Sequence, residues 1–243
     1  MSKKILLNDL FDTFQGEFPY QGRNATFVRF ALCNLSCEWC DTMSGKQKIE
    51  EKEYKISEIV NKVKKTNFIT FTGGEPTLYL NEMKDITNEL ISNGTYLSKI
   101  TIETNGTKLE VMDDYYDYLI TLGLYNINNF VTTIWSPKFY NDKLKNIMLT
   151  KLYEVYNNLN TVIKIVMDDN EIDFINMFID KAIELYGMKV KKNISLQLKT
   201  VNHNNKIETP TLYNETNITN ALTLAEKYNI NISTRMHLDI NIK

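Results

Sequence analysis

This sequence has little of several residue types, and each scarcity removes a class of protein. Its 243 residues include three cysteines, two histidines, nine glycines and four prolines. A disulfide framework needs an even number of cysteines, and these three, Cys33, Cys37 and Cys40, fall within eight residues. A disulfide-stapled extracellular scaffold is excluded. A reducing, cytoplasmic setting with a metal or redox role is expected instead. Scarce glycine and proline exclude collagen-like and low-complexity chains. Neither charge dominates: 28 basic against 30 acidic residues give a formal net charge of −2. That leaves no electrostatic case for direct nucleic-acid or membrane-surface binding. No run approaches the roughly 20 apolar residues of a membrane-spanning helix. The first residues, with Lys3 and Lys4, carry no apolar stretch of signal-peptide length.

What is present is an ordinary globular mixture, 43% hydrophobic and 24% charged. With no linker, repeat or low-complexity tract, residues 1–243 read as a single domain. Strand-like and helix-like patterns alternate along it. Ala25–Phe30, Phe68–Phe71, Ile100–Ile102, Val131–Trp135, Val162–Val166, Ile194–Leu198 and Asn229–Ser233 read as strands. Helical spacing joins Ile56, Ile59, Val60 and Val63, then Met83, Ile86 and Leu90, closed by Asn93-Gly94. Phe174, Met177 and Phe178 begin another helix, and Ala221, Leu224, Ala225 and Tyr228 mark the last. Alternation of this kind predicts an α/β fold with parallel strands and right-handed crossovers. About six such units make a partial TIM-like barrel, with chemistry at the C-terminal ends of its strands.

The cysteines follow the first of these strands with the spacing C-x3-C-x2-C. A structural zinc site usually takes four protein ligands. Three thiolates can instead hold three irons of a 4Fe–4S cubane and leave the fourth iron open. The competing reading is three unrelated thiols, or zinc completed by His203 or His237. Thr72-Gly73-Gly74-Glu75-Pro76 ends the next strand. Its glycines permit close backbone approach to a ligand, and Glu75 can accept hydrogen bonds from an ammonium group. Tyr115, Tyr116 and Tyr118 read as packing residues, and Lys62, Lys64 and Lys65 as a solvated helix face.

C-x3-C-x2-C followed by Gly-Gly-Glu-Pro resembles the radical S-adenosylmethionine (SAM) superfamily. Further motifs resemble its 7-carboxy-7-deazaguanine synthase family: Phe14-Gln15-Gly16-Glu17, Phe27-Val28-Arg29, Cys33-Asn34-Leu35, Trp39-Cys40-Asp41-Thr42 and Glu103-Thr104-Asn105-Gly106-Thr107. Ser136-Pro137-Lys138, Lys164-Ile165-Val166, Leu196-Gln197 and Met236-His237 continue the series, in the expected order over essentially the whole chain. The resemblance implies a SAM-bound cluster whose one-electron reduction yields a 5′-deoxyadenosyl radical. It implies ring contraction of 6-carboxy-5,6,7,8-tetrahydropterin to 7-carboxy-7-deazaguanine, with loss of ammonia and regeneration of SAM. It also implies magnesium (Mg2+), a flavodoxin- or ferredoxin-type reductant and a homodimer.

Roles for this chain's residues follow as expectations from the resemblance. Cys33, Cys37 and Cys40 ligate the cluster, and Thr42 contributes to magnesium binding alongside the substrate carboxylate. Trp39, Asp41, Gly74, Glu75, Ser136, Pro137, Lys138 and Gln197 bind SAM. Phe14, Gln15, Gly16, Glu17, Thr72 and His237 line the pterin site, with Arg29 suited to bidentate carboxylate binding. A buried Arg29–Glu17 ion pair is the structural alternative for those two. His203, in a polar loop, is read as structural. The chain departs from the family pattern at Phe18, Leu32, Arg235, Leu238 and the terminal Ile-Asn-Ile-Lys. The competing functions are a glycyl-radical activase and a non-catalytic zinc-binding module.

Overall fold

A computed structural model of the chain describes residues 4–37, 40, 51–124, 130–154, 160–200 and 213–239. Its architecture is α/β, with parallel strand pairing predominating, as the alternation predicts. The chain divides into two compact units.

The first unit comprises Met1–Phe14, Arg23–Ile134 and Asn158–Asn160. Strand β1 (Lys4–Leu7) pairs antiparallel with β4 (Lys52–Lys55), Lys4 opposite Lys55 and Leu7 opposite Lys52. Ile5 and Leu7 turn inward while Lys4 and Leu6 face out, the period of two that strand geometry imposes. The larger sheet runs β2 (Asp9–Phe14), β3 (Asn24–Phe30), β5 (Phe68–Gly73), β6 (Lys99–Thr104) and β7 (Val131–Trp135). β2 is antiparallel to β3, whereas β3–β5 and β5–β6 are parallel.

Helix α1 (Ile56–Thr66) buries Ile56, Ile59, Val60 and Val63 and ends where Asn67 adopts a left-handed φ of 57°. Helix α2 (Leu80–Ser92) buries Met83, Ile86 and Leu90, and α3 (Val111–Thr121) buries Met112, Tyr115 and Leu119. These faces meet Val28, Phe30, Ile69, Phe71, Ile100 and Ile102 in one core. Tyr115 is fully buried with its hydroxyl 2.7 Å from that of Thr87. Lys64 and Lys65 are exposed, but Lys62 reaches Asp12 at 3.3 Å.

The second unit comprises Gln15–Gly22, Trp135–Asn157 and Thr161–Lys243. Here β8 (Thr161–Val166), β9 (Ile194–Gln197) and β10 (Asn231–Ser233) form consecutive parallel pairs. Helix α4 spans Asp142–Glu154, α5 Ile172–Tyr186 and α6 Glu215–Tyr228. The buried face of α5 is Ile175, Phe178, Ile179 and Ala182, so Met177 is left 43% exposed against expectation. The last strand is shorter than Asn229–Ser233 because Asn229 is the left-handed cap of α6, with φ 53°. Trp135 packs edge-on to Phe178, ring centroids 5.7 Å apart. A one-turn helix, Met236–Asp239, follows β10. Among the described residues no helix is long and apolar enough to cross a membrane.

Candidate functional site

Each unit holds one group of the expected site residues. In the first unit the chain leaves β3 through Ala31 and Leu32 into Cys33. The end of β5 lies against this exit: Gly74 N–H donates to Phe30 O (2.9 Å) and Glu75 N–H to Leu32 O (2.8 Å). Both glycines are required there. Gly73 has φ +110°, a region that disfavours side chains, and a Cβ on Gly74 would run into the Leu32 carbonyl and the Cys33 nitrogen. The close backbone approach read from the sequence is therefore made to the chain's own cysteine-bearing segment. Leu32, 58% exposed, donates its N–H to the Tyr79 hydroxyl at 2.8 Å.

Glu75 is fully buried. Its Oε1 accepts from Thr77 N–H (3.1 Å), Thr77 Oγ1 (2.7 Å) and Thr104 Oγ1 (2.6 Å), and its Oε2 from Asn105 N–H (2.7 Å). Those donors supply the partners that a buried carboxylate requires. Glu75, expected on the SAM side, also holds the turns after β5 and β6 together. Asn105, which the sequence reading gave no individual role, joins this turn to the cysteine segment. Its Nδ2 donates to Asn34 Oδ1 (3.0 Å) and lies 3.8 Å from Cys33 Sγ.

Cys33, Cys37 and Cys40 form no disulfide, and all are partly exposed. Leu35 N–H points at Cys33 Sγ (3.4 Å), and Cys40 N–H donates to Cys37 O (3.2 Å). Burial pushes the Cys33 thiol above its ordinary pKa, opposed by the Leu35 N–H and reinforced by the Glu75 charge. N–H donors aimed at a sulfur suit a metal-bound thiolate, so the residues present fit an iron–sulfur ligand set. Among the described residues no three His, Cys, Asp or Glu side chains gather around a single-ion position. A cubane distributes its ligands over separate irons and requires no such point. Trp39, Asp41 and Thr42 lie outside the described residues.

Three more expected residues belong to this unit. Thr72, at the end of β5, donates to Glu103 Oε2 at 2.9 Å. Arg29 pairs in register with Thr72 across β3 and β5, and its guanidinium lies over the Phe11 ring at 5.3 Å. Arg29 Nε is buried without a hydrogen-bond partner, which suits a guanidinium awaiting an anion. Phe14 ends β2, 48% exposed.

The second unit gathers Gln15, Gly16, Glu17, Gln197 and His237. Gln15 is buried, and its carbonyl accepts from Gly22 N–H at 2.8 Å. Gly16 O accepts from Met236 N–H at 2.9 Å, and a Cβ on Gly16 would strike the His237 ring. Glycine is what lets the histidine sit there. Glu17 forms a buried ion pair with Lys164, accepts from Gln197 Nε2 at 3.0 Å, and has Arg235 Nε 3.5 Å from its Oε1. Burial alone would raise its pKa; the Lys164 and Arg235 charges overcome that and lower it to about 2. Gln197, expected on the adenosine side of SAM, donates its amide to Glu17. Ser136 and Lys138 follow β7, with Lys138 Nζ donating to Ser136 Oγ at 2.8 Å, and Pro137 between them is buried.

Lys164, named in the sequence only as part of the Lys164-Ile165-Val166 motif, was given no individual role there. It lies inside the apolar strand Val162-Ile163-Lys164-Ile165-Val166, and a lysine buried in such a run is itself a signal that a partner exists.

Residues 28–178 match the Radical SAM superfamily. The chain is similar to the 7-carboxy-7-deazaguanine synthase of Thermoplasma acidophilum, 30% identical over 188 residues, 73% of this chain and 77% of that one. It is 27% identical to the synthase of the same name from Methanocaldococcus jannaschii, over 96% of this chain and 98% of the other. Its fold matches the crystal structure of QueE from Escherichia coli with a TM-score of 0.61 and 18% identity, covering 96% of this chain and 95% of that one.

Proposed function

The chain belongs to the radical SAM superfamily and, within it, to the 7-carboxy-7-deazaguanine synthase family, and from that premise we propose that it converts 6-carboxy-5,6,7,8-tetrahydropterin to 7-carboxy-7-deazaguanine with release of ammonia. The product belongs to queuosine and 7-deazapurine synthesis. The observation that carries this reading is the cysteine segment after β3, three thiols outside any disulfide with Leu35 and Asn105 donors turned toward Cys33 Sγ.

In this reading Cys33, Cys37 and Cys40 hold a 4Fe–4S cluster. The cluster, with SAM, supplies the one-electron chemistry that opens the reaction. Gly74 and Glu75 meet the methionine end of SAM, Gly74 keeping the end of β5 close to the cluster segment and Glu75 fixing the turns beside it. Trp39, Asp41, Ser136, Pro137 and Lys138 complete the SAM side. Arg29 takes the substrate carboxylate, its unpartnered Nε being the support for that role. Thr72, Gln15, Gly16, Glu17, His237 and Phe14 bind the pterin, and Gln197, whose amide also donates to Glu17, contributes to SAM binding. Thr42 and the substrate carboxylate share a magnesium ion, so Thr42→Ala loses magnesium stimulation.

The three thiols must stay reduced to bind iron, which favours a cytoplasmic setting. A flavodoxin- or ferredoxin-type protein delivers the electron, and the working form is a homodimer. Anaerobic reaction of the iron-loaded, reduced protein with SAM, magnesium and the pterin should release ammonia equal to substrate consumed. An iron-loaded protein that releases none contradicts the assignment.

A further inference from the structure

Glu17 is an acceptor set among several positively charged groups. Lys164 faces it from β8, Gln197 from β9, Arg235 from just after β10 and His237 from the one-turn helix that follows. Its Oε2 takes Lys164 and its Oε1 takes Gln197, while Arg235 Nε at 3.5 Å contributes charge without hydrogen-bond geometry. An ionised carboxylate offers about four lone-pair sites, so these two bonds leave one site open on each oxygen. The Glu17 side chain keeps 13% of its surface. Beside it, Gln197 Oε1 is a second acceptor, buried and without a partner. The local set is therefore rich in acceptors held in place by cations.

The aminopyrimidinone edge of a tetrahydropterin presents the complement, a ring N–H and an adjacent NH2, both donors. A carboxylate receives such an edge only while ionised, because a protonated one turns a donor toward a donor. We propose that Lys164 and Arg235 are positioning residues, which hold Glu17 as a permanently charged double acceptor for the donor edge of the substrate ring. The inference rests on the reaction proposed above and adds the two residues that set the state of its ring acceptor. The low pKa of Glu17 agrees with it.

The test is pH-dependent binding of 6-carboxy-5,6,7,8-tetrahydropterin to cluster-loaded, SAM-bound protein, left unreduced so that nothing turns over. Calorimetry from pH 8 to pH 5 compares the unmodified protein with Lys164→Met, Lys164→Arg, Arg235→Gln and the double variant Glu17→Gln/Lys164→Met. In Lys164→Met, burial acts on Glu17 with less opposing charge, so its pKa rises toward the measured range. Its affinity, relative to the unmodified protein, should fall about tenfold at pH 8 and further at pH 5. Lys164→Arg should recover most of the loss. Arg235→Gln should show the same growth of the loss toward low pH, and it carries the test if Lys164→Met does not fold. The double variant has no carboxylate to titrate, and its relative affinity should not change with pH. A loss that is equal at every pH, or no loss, overturns the inference while leaving the reaction intact. If the unmodified protein does not bind the pterin at any pH, the reaction assignment fails and the inference fails with it.

Discussion

Asn105 gives its backbone N–H to Glu75 Oε2 at 2.7 Å. The side chain of the same residue reaches Asn34 and the sulfur of Cys33. A buried carboxylate after β5 is thereby connected, through one residue after β6, to the cysteine segment after β3. The first prediction concerns the carboxylate. Glu75→Gln replaces an oxygen that accepts hydrogen bonds with an NH2 that faces donors. Breaking a buried, charge-assisted network of this kind should destabilise the protein by about 2–4 kcal/mol, measured by urea unfolding. Iron bound per chain should fall as well. Unchanged stability and iron content would contradict the structural role given to Glu75.

Asn105 should matter to the cluster more than to the fold. Hydrogen bonds to cluster sulfurs favour the reduced, more negative state. Asn105→Ala removes one such donor, so the cluster midpoint potential should move to a more negative value. Redox titration followed by electron paramagnetic resonance measures it. A potential equal to that of the unmodified protein would mean that the 3.8 Å contact has no electronic consequence.

Gly74 is a steric requirement. The Cβ of Gly74→Ala would enter the Leu32 carbonyl and the Cys33 nitrogen, and backbone atoms move less readily than a flexible side chain. Displacing the segment that carries Cys33 should lower iron and acid-labile sulfide several-fold while far-ultraviolet circular dichroism stays native. Full cluster loading in this variant would show that the two segments separate freely.

Glu17 predicts a pH dependence of stability. Its pKa falls from an ordinary 4.5 to about 2 on folding. A depressed carboxyl pKa contributes stability that is complete above pH 4.5 and is lost as pH falls toward 2. The contribution is roughly 3 kcal/mol. The stability difference between the unmodified protein and Glu17→Gln/Lys164→Met should shrink by about that amount through this window. Urea unfolding at steps of pH measures it, and a constant difference would contradict the ion-paired state.

The sequence displays the buried strands because each is a compact apolar run. Phe68-Ile-Thr-Phe and Val162-Ile-Lys-Ile-Val are covered on both faces, the pattern of parallel strands under helices. β1 and β4 were not legible. They are short and lysine-rich, and each becomes a strand only by pairing with the other across a long separation in sequence. The cysteine spacing and strand-end motifs were legible because each lies in one local stretch. The contacts of Glu17 were not, because Lys164 and Gln197 lie 147 and 180 positions away. Arg235 appeared in the sequence only as a departure from the family pattern, and the fold brings it beside Glu17.

The measurement that bears most directly on the central claim is the mass of the product. Iron-loaded protein, reduced under anaerobic conditions, is mixed with SAM, magnesium and 6-carboxy-5,6,7,8-tetrahydropterin, and the small molecules are resolved by mass spectrometry. The account predicts 7-carboxy-7-deazaguanine, formed by the unmodified protein and absent with Cys37→Ala. Release of 5′-deoxyadenosine with the pterin returned unchanged would contradict the substrate assignment.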